Sequence, residues 1–186
     1  LNGRAKDLAA ELAFSKKTQR IDKDKLYSLY NWDSQKPIVG VFSSVWFDNP
    51  HTFGMKQFRD FNDWLLFTYN AASENKKINW IFKPHPAEEW YGGAKMRDLF
   101  PESLPSHIKI AERKWNGEDF RKLLDAAVTL HGTTGIEMTS NGKPVLVATK
   151  GWYGELGFVV LKDTKESYKA ALKSFWWLEE DKKKNK

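Results

Sequence analysis

The sequence predicts an α/β domain: a parallel sheet covered by helices on both faces. Two patterns predict it. Short runs of aliphatic and β-branched residues, nearly all apolar, recur from Ile38 to Leu161, as strands buried on both sides require. Between them lie segments whose apolar residues return every three or four positions, the period of a helix with one buried face. Strands and helices that alternate in this way are joined by crossovers, which place helices on both faces of the sheet.

From Leu1 to about Thr18, residues Leu1, Ala5, Leu8, Ala9, Leu12 and Ala13 keep a helical period. A Lys-rich stretch from Ser15 to Lys25 follows, then Leu26, Tyr27, Leu29 and Tyr30. Residues 1–35 are therefore assigned to an N-terminal helix and linker, 36–178 to the main domain and 179–186 to a charged tail. The first strand is expected over Pro37 to Ser43. A loop through Trp46, Asp48, Asn49, Pro50 and His51 leads to a helix with Met55, Phe58, Phe61, Leu65, Tyr69 and Ala72 on one face. Ile78 to Phe82 is the second strand. A loop with Glu88, Glu89, Trp90, Gly92 and Gly93 follows, then a short helix near Ala94 to Phe100. His107 to Ala111 is the third strand. Asn116 to Asp119 caps a helix whose Phe120, Leu123, Leu124 and Ala127 face inward. Ala126 to Leu130 and Pro144 to Ala148 are strands four and five, separated by a helix that stops at Asn141-Gly142; Phe158 to Leu161 is a shorter sixth. Asp163 with Glu166 opens a last helix carrying Tyr168, Ala171, Leu172, Phe175 and Leu178.

Composition narrows the function classes. At 186 residues, with 41% hydrophobic and 15% aromatic residues, the chain suffices for one well-cored domain. Of nine Trp, Trp80 and Trp176 sit in apolar patterns and read as core, whereas Trp46, Trp90 and Trp152 lie in loops. The net charge of +6 owes much to Lys182, Lys183, Lys184 and Lys186 in the tail. No basic stripe with interleaved aromatics marks a nucleic-acid interface, so no nucleic-acid partner is expected. The chain has no Cys, hence no disulfide and no thiolate metal site; no signal peptide is expected, and the sequence has no apolar run of membrane-spanning length. These features lead to an expectation of a cytoplasmic protein, with membrane contact peripheral at most, at the inner face. The chain opens at Leu1 rather than Met, which leads to an expectation of the C-terminal portion of a longer polypeptide; processing or omission of a start Met would give the same opening.

Ligands of such sheets bind beyond the carboxyl ends of the strands, and three segments there carry chemistry. After strand four comes His131-Gly132-Thr133-Thr134-Gly135-Ile136-Glu137. A small-residue turn into a helix start leaves backbone N–H groups pointing outward, suited to phosphate or carboxylate, and its glycines permit close approach of a ligand. Thr134 and Glu137 have the spacing of a capping box, so Glu137 closes that cap, grips ribose hydroxyls, or does both. After strand two, Lys83 and His85 fall on the same side of an extended segment, and Pro84 and Pro86 stiffen the backbone that aims the imidazole. Lys83 is either a phosphate-neutralising cation or the polar end of a strand. His85 is either a donor to phosphate or a loop histidine bracketed by turn prolines. After strand five, the loop with Gly151, Trp152, Tyr153 and Gly154 has the composition to close over a base or sugar. The four His have no metal-binding spacing, and neither a G-x-S-x-G nor a G-x-G-x-x-G motif occurs.

K-P-H-P after one strand, followed by H-G-T-T-G-I-E-M-T-S-N-G-K-P-V-L-V and a Gly/Tyr loop, resembles the C-terminal half of GT-B glycosyltransferases. Among these it looks most like the capsule polysaccharide biosynthesis family, whose members include Kdo transferases. The resemblance runs from about Pro37 to Leu161. It implies a Rossmann-like domain that holds a nucleotide-sugar donor, CMP-linked sugars being one option. The acceptor, a capsular or other surface polysaccharide or a glycolipid, would be held by a missing N-terminal domain of the same polypeptide.

Carried onto this sequence, Lys83 and His85 would act on the leaving phosphate, and Thr133, Thr134 and Gly135 would form the phosphate turn beside His131 and Gly132. Glu137 matches the acidic residue of the following helix, and Trp152 and Tyr153 match a substrate-contacting loop more loosely. This design needs no metal or other cofactor. A nucleotide-sugar 2-epimerase shares the fold and a similar Gly-rich turn, and a non-catalytic nucleotide-binding module is the other alternative.

Overall fold

The computed structural model describes residues 19–46, 51, 54–88, 95–112, 115 and 117–178. Its six strands are β1 (Ile38–Phe42), β2 (Asn79–Lys83), β3 (Ile108–Ile110), β4 (Ala126–Thr129), β5 (Val145–Val147) and β6 (Val160–Leu161). They lie in the order β3-β2-β1-β4-β5-β6, and every neighbouring pair is parallel. The chain winds outward from β1 to β3, then returns across the sheet to β4 on the other side of β1. That reversal opens a crevice at the carboxyl ends of β1 and β4, the place where doubly wound sheets bind ligands.

Strand alternation divides the core in two. Val39, Val41, Trp80 and Phe82 face one way, toward α2 (Phe61–Glu74) and α5 (Lys165–Leu172). Ile38, Phe42, Ile81 and Ala127 face the other, toward α1 (Lys23–Tyr30), α3 (Gly117–Leu123) and α4 (Thr134–Ser140). Gly40 of β1 lies under Leu124, where an added Cβ would come within 2.4 Å of a Leu124 methyl. Residues 19–35 pack into this second face, where Leu26, Tyr27 and Trp32 are buried. Trp80 and Trp176 are buried, whereas Trp152 is half exposed.

The structure corrects several element boundaries. Met55 and Phe58 are buried but precede α2, because the Asp60 carboxylate accepts the Asp63 N–H at 2.7 Å and starts the helix there. The short helix near Phe100 is a four-residue 3-10 turn, Met96–Leu99. Ala127 belongs to β4 rather than to the helix before it. Thr164, not Asp163, caps α5, accepting the Ser167 N–H at 3.2 Å. That helix ends at Leu172, so Phe175 and Leu178 lie beyond it. The expected helix over 1–18, the cap at Asn116, the loop residues Asp48, Asn49, Pro50, Glu89, Trp90, Gly92 and Gly93, and the lysine tail lie outside the described residues.

Candidate functional site

Register brings the site together. Phe42 of β1 pairs with Lys83 of β2 on one side and with Thr129 of β4 on the other, and Thr129 pairs with Val147 of β5. The four strands thus end in one row, and the chemistry-bearing segments all leave from it. Lys83 and Thr129 are two strand spacings apart, about 10 Å. Ser43, just past β1, donates its N–H and its hydroxyl to the Lys83 carbonyl at 3.2 and 3.3 Å. The crevice wall is thereby tied to the start of the Lys83-Pro84-His85-Pro86 segment.

Lys83 turns toward the α3 face. Its Nζ donates to the Glu112 carbonyl at 3.0 Å and sits 5.5 Å from the centroid of the buried Phe120 ring. His85 Nδ1 accepts the Ala87 N–H at 3.1 Å, so the neutral ring carries its proton on Nε2. The backbone N–H of Ala87 thus fixes the tautomer of the neutral ring.

His131 takes the opposite side. It is buried, its ring centroid lies 5.8 Å from that of Phe61 at the start of α2, and Gly151 presses against its Cβ. Gly151 has φ +50°, and a Cβ there would come within 2.7 Å of the His131 Cβ. Lys83 and His131 therefore point to opposite faces of the sheet, and the structure does not bring their side chains together.

The turn between β4 and α4 is held by its own backbone. The Gly135 N–H donates to the Gly132 carbonyl at 2.9 Å, and Ile136 and Glu137 donate to the Thr133 carbonyl at 3.0 and 3.1 Å. Gly135 thus spends its N–H inside the turn, and the donors outside these internal bonds are those of Gly132, Thr133 and Thr134. The N–H groups outside the turn's own bonds begin one residue earlier, at Gly132, than the Thr133 to Gly135 set expected from sequence. Tyr153, almost fully buried, donates its hydroxyl to the same Gly132 carbonyl at 2.7 Å. Burial pushes the Tyr153 phenol up, so it stays protonated as a donor.

Glu137 does not close a capping box. The N-cap is Thr133, whose side chain makes no capping bond, and the Glu137 carboxylate pairs with Arg121 of α3 at 3.0 Å. Arg121 and the neighbouring Phe120 thus touch two of the residues singled out from sequence, Glu137 and Lys83. Sequence reasoning missed both. Phe120 scored only as an apolar helix position, and no local spacing links Arg121 to a carboxylate on the next helix.

In the loop after β5, Trp152 is 51% exposed and meets Tyr153 edge-on, and Lys150 pairs with Glu155 at 2.5 Å on the surface. Among the described residues no group of three or more His, Asp or Glu is placed to hold a metal ion. Nor is any helix among them long and apolar enough to cross a membrane.

Strand order and the gathering of polar groups beyond the strand ends define a Rossmann-like α/β domain. Solved structures that share this architecture include two proteins described as Kdo transferases. One is KpsC of Thermosulfurimonas dismutans, described as a beta Kdo 2,4 transferase, with a TM-score of 0.56 and 18% identity; the match covers 75% of this chain and 45% of that one. The other, KpsC of the same organism described as a beta Kdo 2,7 transferase, has a TM-score of 0.53 and 17% identity, covering 89% and 57%. The chain spans about half the length of these two structures, and at this identity the likeness is one of fold. No family model matches the chain, and no curated protein sequence matches it.

Proposed function

We propose that this chain is the donor-binding half of a glycosyltransferase that moves a sugar from a nucleotide donor to a surface polysaccharide or glycolipid acceptor. The observation that carries the reading is the turn at Gly132 to Thr134, whose N–H groups outside the turn's own hydrogen bonds lie across β1 from Lys83 and His85. Fold likeness to two proteins described as Kdo transferases supports the same class and makes a CMP-linked sugar the first donor to try.

In this reading the turn receives the donor phosphate, and Lys83 adds positive charge from the β2 side. The His85 Nε2–H donates to the leaving phosphate as the glycosidic bond breaks. Donors fixed before the reaction stabilise charge that grows on the leaving group without reorganising. Glu137 accepts from ribose hydroxyls, and the exposed Trp152 ring offers a face to the base or sugar. A second domain supplies the acceptor site. The setting is cytoplasmic, with peripheral contact at the inner face of the membrane.

The test is calorimetric titration of the full-length protein with CMP, CDP, UDP and GDP. Saturable binding of one of them, weakened about tenfold in Lys83→Ala, is the expected result. No binding to any nucleotide, or identical affinity in Lys83→Ala, would remove the phosphate site as drawn. A UDP preference with release of free UDP and an epimerised sugar would assign the domain to the 2-epimerases instead.

A further inference from the structure

Tyr153 looked from sequence like a residue that meets the sugar or base, yet only 2% of it is exposed. Its hydroxyl ends on the Gly132 carbonyl, which also accepts the Gly135 N–H. A peptide unit is planar and trans, so its C=O and N–H point in opposite directions. Drawing the Gly132 oxygen onto two donors therefore turns the N–H of Thr133 the opposite way, away from Tyr153 and the Gly135 N–H. The contact leaves no slack. A Cβ on Gly135 would lie 2.2 Å from the Tyr153 oxygen, so glycine at that position is what lets the hydroxyl reach the carbonyl. The ring is held from its other sides by Phe158, stacked at 5.6 Å, and by Trp152, edge-on at 5.1 Å. Both of these partners are substantially exposed, on the same loop.

From this geometry we propose that Tyr153 is a positioning residue. Through the Gly132 carbonyl it aims the Thr133 N–H at the phosphate of the donor and links the 151–158 loop to the anion-binding turn. This rests on the reading that the turn takes a donor phosphate. Tyr153 itself contacts no ligand. Its removal costs the protein phosphate recognition, while contacts to the base and ribose remain.

A merely structural tyrosine would weaken all ligands alike, so the test compares nucleotides with nucleosides. Wild-type and Tyr153→Phe forms of the full-length protein are titrated with CMP, UMP, GMP and AMP and with the matching nucleosides, following the Thr133 amide signal. Phenylalanine keeps the ring packing and deletes one hydrogen bond. The expected result is a wild-type preference for the monophosphate that falls roughly tenfold in Tyr153→Phe, with nucleoside affinity unchanged. Gly135→Ala, which displaces the hydroxyl from the opposite side, should act in the same direction and covers the case of a Tyr153→Phe protein that fails to fold. An undiminished phosphate preference in either folded variant would overturn the clamp and leave the donor-site reading standing. A wild-type protein that binds nucleosides and monophosphates equally would overturn both.

Discussion

At the scale of single residues, the structure separates side chains that act on their surroundings from those that look polar only because they end a strand. Glu137 shows how. Its spacing from Thr134 fits a cap, but the helix begins one residue earlier than that cap requires, and the carboxylate is left to reach Arg121 at 3.0 Å. A carboxylate held by a guanidinium loses rotamer freedom before a ligand arrives. If Glu137 receives the ribose, Arg121→Met should narrow the preference for a ribonucleotide over its 2′,3′-dideoxy analogue, by about fivefold, while Arg121→Lys keeps part of it. Titrating both analogues decides the matter: an unchanged preference in Arg121→Met would leave the pair as a tie between helices.

At the scale of elements, α2 and α5 are joined by hydrogen bonds inside a dry core. The Trp64 indole N–H donates to the Tyr168 hydroxyl at 2.9 Å, and that hydroxyl lies 2.9 Å from the Thr68 hydroxyl. Thr68 in turn donates to the Trp64 carbonyl at 2.8 Å. All three residues are fully buried, and burial holds the Tyr168 phenol well above its ordinary value, protonated throughout the working range. Tyr168→Phe would strand the indole N–H without an acceptor. The expected cost is about 1–3 kcal/mol in urea unfolding, with an unchanged m-value. Because these helices cover the face opposite α3 and α4, nucleotide affinity should survive the substitution. A stability loss below about 0.5 kcal/mol would mean that the network contributes little beyond packing.

At the scale of the whole molecule, the two ends of the sheet do different work. The carboxyl ends carry the loops of the candidate site, whereas the amino ends are closed by structural bonds. Asp125 accepts from the Ile38 N–H at 2.8 Å and pairs with Lys23 at 2.8 Å, and the Trp32 indole donates to the Ser106 carbonyl at 2.9 Å. His107, just before β3, bonds to the Ala72 carbonyl near the end of α2 at 3.2 Å. Burial holds its pKa below the ordinary 6.5. The unfolded chain therefore takes up a proton near pH 6.5 that the folded protein refuses. The stability from His107 is complete above that pH and is lost as pH falls toward the depressed folded value. His107→Gln, which keeps a neutral donor, should flatten this part of the acid destabilisation when unfolding is followed from about pH 8 to about pH 5. Parallel curves for the two proteins would exclude His107 as the source.

What the sequence by itself determined is whatever depends on local pattern. The apolar runs mark all six strands. They are clearest in β1, β4 and β5, which are buried along their whole length, and shortest at the partly buried edge strands β3 and β6. Alternation with helices determined the α/β class. The positions of His85 and the His131 to Glu137 segment just beyond strand ends were legible from the same runs, whereas Lys83, expected after strand two, is the last residue of β2. What only the tertiary structure decided is which groups face one another. It set the strand order with its crevice, sent Lys83 and His131 to opposite faces, and paired Glu137 with Arg121. It also buried Tyr153, a candidate ligand contact, and joined its hydroxyl to the Gly132 carbonyl. Such contacts join residues from separate strands and helices, and pattern within one segment carries no information about the partner that another segment will bring.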